Sequence, residues 1–356
     1  MSRRASRRQY QTGFTRCWPY DRSVTTSIAF FNNKGGVGKT TLACNFAAYL
    51  SSYGYSVTVA DCDPQSNATQ LLLRDKVWEA IYNNRADSER RTLLKALRHI
   101  RAGDSGVETD LELHSSRRFG VHVLAGHPSL SAVEDRLSAS WAEFGSRYLG
   151  GARRSLWVRE LVTSLTDDVV VFDLGPSLGA LNRSVLMGSD FFVTPVAPDL
   201  FSLYALENIG EWLEGWIKDY VDYESRLDAT AEQRAEFRIL PNLPVAQGWA
   251  GYSVQQYVAK TTGGRIRGVQ AYDRYKREIP DRATKLKVFE APTLQSREIG
   301  VVPNMFSMIP MAQTAHAPIA DLTTNDGVRG AQVTQQKRYV EQLTAMFDRL
   351  MANVGL

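Results

Sequence analysis

The chain lacks long apolar runs and is poor in cysteine. None of its stretches approaches the ~20 consecutive apolar residues that a membrane-spanning helix needs. Its N-terminus carries arginines with no apolar stretch behind them, which is not the pattern of a secretory signal. Cys17, Cys44 and Cys62 form an odd set without the spacing of metal ligands, which argues against a disulfide framework. These absences predict a cytoplasmic protein.

The chain also has little net charge. The formal charge of +4 does not by itself indicate nucleic-acid binding. Five arginines precede the first acidic residue, and they predict a basic, flexible arm over residues 1–24: Arg3, Arg4, Arg7, Arg8 and Arg16. A solubilising tail or an ill-defined start would give the same pattern. With 44% hydrophobic residues, the remainder can bury a sizeable core, so we expect one α/β domain over residues 25–356.

A glycine-rich stretch has the features of a phosphate-binding loop (P-loop). It lies between a β-prone run at residues 27–31 and a run with helical apolar spacing at residues 41–50. Glycines let backbone N–H groups approach phosphate oxygens, and the helix N-terminus behind them favours an anion. The residues expected to bind a nucleotide are Gly35, Gly36, Val37, Gly38, Lys39, Thr40 and Thr41. A chance glycine-rich turn is the alternative, because Asn33 replaces the first glycine of GxxxxGK[ST].

Two side chains of the P-loop are suited to ATP and Mg²⁺. Lys39 places a positive charge for the β- and γ-phosphates, and the Thr40 hydroxyl is suited to ligate Mg²⁺. Both cofactors are therefore expected.

Two further β-prone runs end in carboxylates. Residues 55–60 lead into Asp61 and Asp63, and the apolar run at residues 168–173 ends in Asp173, as in a Walker B strand. In an open parallel sheet these acids point into the ligand crevice. The alternatives are N-caps of a helical turn at residues 68–73 for Asp61 and Asp63, and a generic strand end for Asp173. Together the sequence predicts Thr40 and Asp173 as metal ligands.

The P-loop sequence Lys-Gly-Gly-Val-Gly-Lys-Thr-Thr, which begins at Lys34, resembles the deviant Walker A loop of the ParA/MinD family. In that family the early lysine reaches across a dimer interface to the partner's nucleotide, which implies this role for Lys34. A solvated loop lysine is the alternative. Asp63-Pro64-Gln65 resembles switch I of the family, which implies that Asp63 organises Mg²⁺ and the attacking water, with Asp61 behind it. The resemblance thus implies Lys34, Lys39 and Asp63 as catalytic residues.

The segment after Asp173 resembles switch II, usually written Asp-x-Pro-Pro-Ser, except that Gly175 replaces the first proline. Two adenine contacts are also implied by the resemblance. Asn242 follows a predicted strand at residues 237–240, where relatives place a base-reading asparagine, although a turn asparagine would look the same. Pro310 lies in the segment 307–313, which resembles the loop that lines the adenine pocket.

Several other segments are assigned from local pattern. Residues 80–118 are polar and form a variable insertion with helical spacing at residues 92–100, and residues 121–126 form a strand. Glu134 is the expected capping-box acid of the next helix. Three arginines of a helix at residues 153–165 are expected on its solvated face: Arg153, Arg154 and Arg159. His122 and His127 are expected to be structural. Residues 198–206 lead into a long helix that reaches about residue 217 and resembles the family's dimer face.

The segment 260–290 is basic, with nine basic and three acidic residues between Lys260 and Lys287 and tyrosines interleaved. It predicts sequence-independent DNA binding through Arg265, Arg267, Arg274, Lys276 and Arg277, with a solvated charged face as the alternative. Residues 337–354 form an amphipathic helix with few basic residues on its polar face, so we expect it to pack on the sheet rather than bind a membrane.

The predicted fold is α/β: a doubly wound, mostly parallel β-sheet flanked by helices, with the P-loop at the carboxyl edge of its strands. The resemblance implies a ParA-like ATPase that forms an ATP-sandwich homodimer, binds DNA non-specifically and hydrolyses ATP slowly to partition or position a cargo. It further implies a ParB-like or other adaptor that stimulates hydrolysis, and nucleoid association if DNA is bound. The alternative is a MinD-like membrane-surface or protein-positioning switch that does not bind DNA.

Overall fold

The computed structural model describes residues 25–84, 90–256, 269–305 and 307–356. Its strands are β1 (Thr26–Phe30), β2 (Val57–Asp61), β3 (His114–Ser116), β4 (Val121–Leu124), β5 (Val169–Asp173), β6 (Phe191–Val196), β7 (Trp249–Gln255) and β8 (Glu298–Val302). Its helices are α1 (Lys39–Ser52), α2 (Asn67–Leu72), α3 (Asp75–Asn83), α4 (Leu93–Ala96), α5 (Arg98–Ala102), α6 (Glu134–Gly145), α7 (Leu149–Ser155), α8 (Trp157–Ser164), α9 (Ala180–Gly188), α10 (Leu200–Ser225), α11 (Ala231–Glu236), α12 (Val269–Ala283), α13 (Met308–Ala315) and α14 (Ala331–Val354).

The eight strands form one sheet in the order β3-β4-β2-β5-β1-β6-β7-β8. All neighbours are parallel except the edge pair β3 and β4. The predicted doubly wound, mostly parallel fold is therefore confirmed. In this order β5 lies between β1 and β2, and Asp173 is in register with both Phe30 and Asp61. The register brings the P-loop and two acidic residues to one edge of the sheet.

Apolar cores cover both faces of the sheet. Within β5, Val169 and Val171 pack with α1 and α14, whereas Val170 and Phe172 pack with helices that include α8 and α9. A strand buried on both sides must be apolar at every position, which is why β5 reads as a continuous apolar run. The long helix α14 buries one face against the sheet through Tyr339, Leu343, Met346, Phe347 and Leu350, as its periodicity predicted. No helix in the described ranges is long and apolar enough to cross a membrane.

The strand predicted at residues 237–240 is wrong. Residues after α11 form a turn in which Arg238 has a φ of 54°, a left-handed conformation that a β-strand cannot contain. The strand that joins the sheet in this region is β7, which begins at Trp249 and pairs with β6 and β8.

Two predictions about side chains are also wrong. Glu134 does not close a capping box on its own helix; its carboxylate accepts a hydrogen bond from Leu181 N, at the start of α9, at 3.0 Å. The arginines expected on a solvated face are instead half-buried in ion pairs. These pairs are Arg153 with Glu160, Arg154 with Glu143, and Arg159 with Asp190. The partners of Glu134 and Arg159 come from distant segments, and those of Arg153 and Arg154 from neighbouring helices, so the spacing within one helix does not reveal them.

The two histidines have structural contacts, as expected. His122 lies in β4 with its Nδ1 2.9 Å from Asp167, and His127 accepts a hydrogen bond from Ser129 N at the start of a 3-10 helix over Pro128–Val133. Within the described ranges, no group of three or more histidine, cysteine, aspartate or glutamate side chains is arranged to hold a metal by itself.

Candidate nucleotide-binding site

The P-loop connects the carboxyl end of β1 to the amino end of α1. Gly38 precedes α1 with a φ of 84°, and no side chain caps the helix there. The first-turn N–H groups of an uncapped helix have no partner within the helix, so they can bind an anion. The loop therefore has the backbone arrangement that a phosphate group requires, as the sequence predicted.

Lys39 begins α1 and is folded back over the loop. Its side chain is almost fully buried, and its Nζ donates a hydrogen bond to the Lys34 carbonyl oxygen at 2.9 Å. Burial lowers the pKa of Lys39, whereas the carboxylates of Asp173 and Asp63 raise it. The ammonium group is thus held over the loop with two carboxylates near it.

Asp173 ends β5 and is completely buried. Neither of its carboxylate oxygens accepts a hydrogen bond of ordinary geometry. Burial raises its pKa well above the usual value, as does Asp61, whereas the nearby Thr40 hydroxyl and the Lys39 charge lower it. A buried carboxylate without donors is unusual, and free carboxylate and hydroxyl oxygens are the ligands that Mg²⁺ accepts beside phosphate. Asp173 and Thr40 therefore fit the predicted metal role.

Asp61 holds the segment after β2 in place. Its Oδ2 accepts hydrogen bonds from the Thr69 N–H and hydroxyl at 2.7 and 2.6 Å, and its Oδ1 accepts from Asp63 N at 3.2 Å. Burial raises the pKa of Asp61 to about 6, although the bonds from Thr69 act in the opposite direction. Because Thr69 lies in the first turn of α2, Asp61 also serves the capping purpose that was its alternative interpretation.

Asp63 is not a cap of α2. Its Oδ1 accepts a hydrogen bond from Gln65 N at 2.9 Å, and the side chain is nearly buried at the same edge as Lys39 and Asp173. The structure thus brings together Lys39, Thr40, Asp63 and Asp173.

Lys34 makes an ion pair within its own chain. Its Nζ bonds to Asp199, whose other oxygen caps α10 by accepting from Ser202 N at 3.1 Å. The next residues of α10 expose large apolar side chains to solvent, with Phe201 74% exposed and Leu200 and Tyr204 about half exposed. An exposed apolar group of this kind beside a charged loop is typical of an interaction surface.

The two predicted adenine contacts lie in different surroundings. Asn242 is exposed in a bend that precedes β7, so it is near the amino end of a strand and away from the P-loop edge. The predicted position after a strand was wrong because the strand at residues 237–240 does not exist. Pro310 follows the carboxyl end of β8, which is the P-loop edge, but it is exposed within α13 rather than in a loop.

Sequence reasoning missed Gln255. It ends β7 at the P-loop edge, and its buried Oε1 has no hydrogen-bond partner. A methyl group built on Gly38 would lie 3.1 Å from this oxygen, so the Gln255 amide contacts the P-loop. The signal was available, since residues 249–254 form a β-prone run that ends in two glutamines.

The basic segment is described only in part. Arg265 and Arg267 lie outside the described residues. In α12, Arg274 is 73% exposed and paired with Glu278, Arg277 is exposed, and Lys276 is half-buried. The described side chains are placed where solvent or a polyanion can reach them.

Comparison with known proteins gives a consistent picture. Residues 25–223, more than half of the chain, match the AAA_31 family model, described as an AAA domain. The chain is 31% identical over 195 residues to the chromosome-partitioning ATPase Soj of Thermus thermophilus, a match that covers 54% of this chain and 63% of Soj. It therefore spans less than two thirds of that relative's length.

Two solved structures share the fold. Protein DIP2308 of Corynebacterium diphtheriae matches with a TM-score of 0.69 and 34% identity, over 82% of this chain and 97% of that chain. The ATP complex of Cyanothece McdA matches with a TM-score of 0.56 over 93% and 97% of the two chains. At 14% identity, the second match shows the likeness of fold alone.

Proposed function

Because the chain belongs to the ParA/MinD family of P-loop ATPases, we propose that it is a ParA-like partition or positioning ATPase that binds ATP with Mg²⁺ and hydrolyses the ATP slowly. The observation that carries this proposal is the unpaired Asp173 carboxylate beside Thr40 and Lys39. A buried carboxylate with only a structural purpose would have donors, whereas a metal ligand keeps its oxygens free.

The proposed roles of the P-loop residues are supported by their positions. The N–H groups from Gly35 to Thr41 hold the phosphates, and Lys39 neutralises charge on the β- and γ-phosphoryl oxygens. Thr40 and Asp173 hold Mg²⁺, and Asp63 contributes to its surroundings. When bound, Mg²⁺ would neutralise charge on the phosphates during transfer. Gln255 takes the place at the end of β7 that the sequence assigned to Asn242, and we propose it as a nucleotide contact.

Asp63 is the residue proposed to orient the attacking water. It is fixed by its bond from Gln65 and faces the group of charges around Lys39. Positioning and electrostatics supply most of the catalysis in phosphoryl transfer, so a single fixed carboxylate is sufficient for slow turnover.

Lys34 is proposed to act across a homodimer. In the single chain it is neutralised by Asp199, so it must leave that partner before it can reach a nucleotide bound to a second copy. The exposed Phe201 and Tyr204 lie in the first turns of α10, directly after Asp199. They supply apolar area for a contact between the two chains. The proposed dimer thus exchanges an intramolecular ion pair for contacts between chains.

The proposed partners are non-specific DNA, bound through the exposed arginines of α12 with Arg265 and Arg267, and a ParB-like or other adaptor that stimulates hydrolysis. DNA binding of this kind depends on phosphate contacts and weakens as salt increases. The proposed location is the cytoplasm, with nucleoid association when DNA is bound. A membrane role through α14 is not favoured, because the apolar face of α14 is already buried against the sheet.

The proposal is tested by sedimentation and phosphate release with ATP, ADP or no nucleotide. The wild-type chain should dimerise with ATP and release phosphate slowly. Lys34→Ala should bind nucleotide but remain monomeric, and Asp63→Ala should accumulate as an ATP-bound dimer without turnover. Lys218→Ala, an exposed lysine in the middle of α10, is the matched control and should behave as wild type.

Each result has a contrary outcome. A normal ATP-dependent dimer of Lys34→Ala would remove the cross-interface role, and full turnover by Asp63→Ala would remove that residue from the mechanism. The same samples, mixed with DNA at two salt concentrations, test the DNA-binding proposal. An ATP-dependent dimer that ignores DNA would favour a protein-positioning switch.

A further inference from the structure

Gly175 and Asp63 face each other across the two predicted switch segments. A methyl group built on Gly175 would lie 3.0 Å from Asp63 Oδ1, 3.1 Å from its Cγ and 3.4 Å from its Oδ2. These separations are shorter than the ~3.5 Å at which non-bonded heavy atoms pack best. The Asp63 carboxylate thus occupies space that any side chain at position 175 would need.

The backbone conformation does not explain a glycine at this position. Gly175 does not have a positive φ, so an L-residue could adopt its conformation without strain. Its carbonyl oxygen accepts a hydrogen bond from the Asn182 side chain at 2.9 Å, which restrains this segment. The remaining explanation for a glycine at position 175 is the space that the Asp63 carboxylate needs.

Asp63 cannot easily move away from an added side chain. Its Oδ1 is bonded by Gln65 N at 2.9 Å, and its own N–H is bonded to Asp61 Oδ1 at 3.2 Å. Only 7% of Asp63 is exposed. The carboxylate is held on one side by switch I and, on the other, faces the position that a Cβ of residue 175 would take.

We propose that Gly175 is a positioning residue for Asp63: its missing side chain gives the Asp63 carboxylate the place it occupies beside the P-loop. This inference rests on the proposed ATPase function. It also gives the departure from the Asp-x-Pro-Pro-Ser pattern a physical meaning, because a proline at position 175 would occupy the place of the carboxylate. In this chain the proline typical of the family should therefore impair hydrolysis.

The first test compares Gly175→Ala with Gly215→Ala. Gly215 lies in the exposed middle of α10, and a methyl group there meets no atom within 4 Å, so it controls for the added methyl. Gly175→Ala should lower kcat about three- to tenfold, since small misplacements of a catalytic group reduce rates steeply. Nucleotide affinity should stay within about twofold of wild type, since the P-loop is untouched. Gly215→Ala should match wild type in both.

A second measurement does not depend on hydrolysis. The Gln65 amide reports the Asp63 carboxylate directly, so its resonance in nucleotide-free, ¹⁵N-glutamine-labelled protein should shift in Gly175→Ala and stay fixed in Gly215→Ala. An unshifted Gln65 amide would overturn the proposal. A fall in nucleotide affinity with unchanged kcat would overturn it too, because that result points to a disturbed P-loop.

Two further variants separate this inference from the proposed function. Added to Asp63→Ala, which has no turnover left to lose, Gly175→Ala should cost less stability in urea unfolding than it does in wild type, because the carboxylate that the methyl group would meet is absent. Gly175→Pro should hydrolyse ATP more slowly than wild type, and faster hydrolysis would overturn the proposal. If the wild-type chain does not hydrolyse ATP, the proposed function fails; if it does and Gly175→Ala is unchanged in kcat, only the present inference fails.

Discussion

An aspartate stands at each end of β5, but the two carboxylates differ in burial and in hydrogen bonding. Asp168, just before the strand, accepts hydrogen bonds from the Ser56 N–H and hydroxyl at 2.7 and 2.8 Å. Asp190, at the same amino edge of the sheet, accepts from Ser27 N and Oγ and pairs with Arg159. Asp173, at the carboxyl edge, is the most deeply buried of the three and has no such bond.

The difference separates acids that maintain the fold from an acid that we propose as a metal ligand. Satisfied buried carboxylates stabilise the native state, whereas a buried carboxylate without donors destabilises it unless a ligand binds. A buried carboxylate without donors is retained where function requires it, and other contacts in the fold compensate for its destabilising effect. We therefore treat the amino edge as structural and the carboxyl edge as the site.

The largest effect should come from Lys39→Ala, which removes the cation from the carboxyl edge. Nucleotide binding should weaken by roughly 100-fold or more, because a charge-assisted bond to a phosphate is lost in a buried site. Titration calorimetry with an ATP analogue measures the loss, and circular dichroism checks that the variant is folded. Lys218→Ala is the control. Retention of near wild-type affinity by Lys39→Ala would show that the phosphates are not bound at this loop.

The next largest effect should be a difference in stability between Asp168→Ala and Asp173→Ala. Asp168→Ala leaves the Ser56 donors without their acceptor and should lower the free energy of unfolding by about 1–3 kcal/mol. Asp173→Ala removes no hydrogen bond of ordinary geometry and takes away a carboxylate whose burial is unfavourable, so its stability should fall by less than that of Asp168→Ala. Urea unfolding without nucleotide or Mg²⁺ makes the comparison. Equal destabilisation by both substitutions would mean that Asp173 makes stabilising contacts comparable with those of Asp168.

Much of this arrangement could be predicted from sequence, because its signals are local. The predicted runs for β1, β2, β4 and β5 and the helical spacing of α1 lie within a few residues of the observed elements. The P-loop and the acids after β2 and β5 follow from those elements, since parallel strands place their carboxyl ends together.

The remainder depends on contacts between distant segments. Glu134 bonds to Leu181, and Asp199 pairs with Lys34, across separations of 47 and 165 residues that no periodicity encodes. The β7 strand was misplaced because residues 237–240 have β-prone composition but a turn conformation around Arg238. The same shift concealed Gln255 and gave its role to Asn242. Polar contacts of this kind require the assembled sheet.

The smallest predicted effect is a pH dependence confined to the carboxyl edge. Burial raises the pKa of Asp61 to about 6 and that of Asp173 above its usual value, so both carboxylates are protonated more readily in the nucleotide-free fold than in the unfolded chain. An acid with a raised pKa in the folded state contributes stability below its unfolded pKa, and this contribution is lost as the pH rises through the folded pKa. The stability of the nucleotide-free protein should therefore decline as the pH approaches and passes about 6.

Binding of Mg²⁺ with nucleotide should change with pH in the opposite direction, because a cation favours ionised carboxylates. Affinity should increase as the pH rises through about 6, whereas nucleotide binding in EDTA should lack this rise. Thr69→Val removes the hydroxyl bond that lowers the pKa of Asp61, so it should move the midpoint upwards by roughly one unit, while Thr69→Ser should restore it. Calorimetric titrations between about pH 5 and about pH 8 measure both midpoints. If Thr69→Val leaves the midpoint unchanged, the titrating group is not Asp61, and the two edges differ in hydrogen bonding but not in protonation.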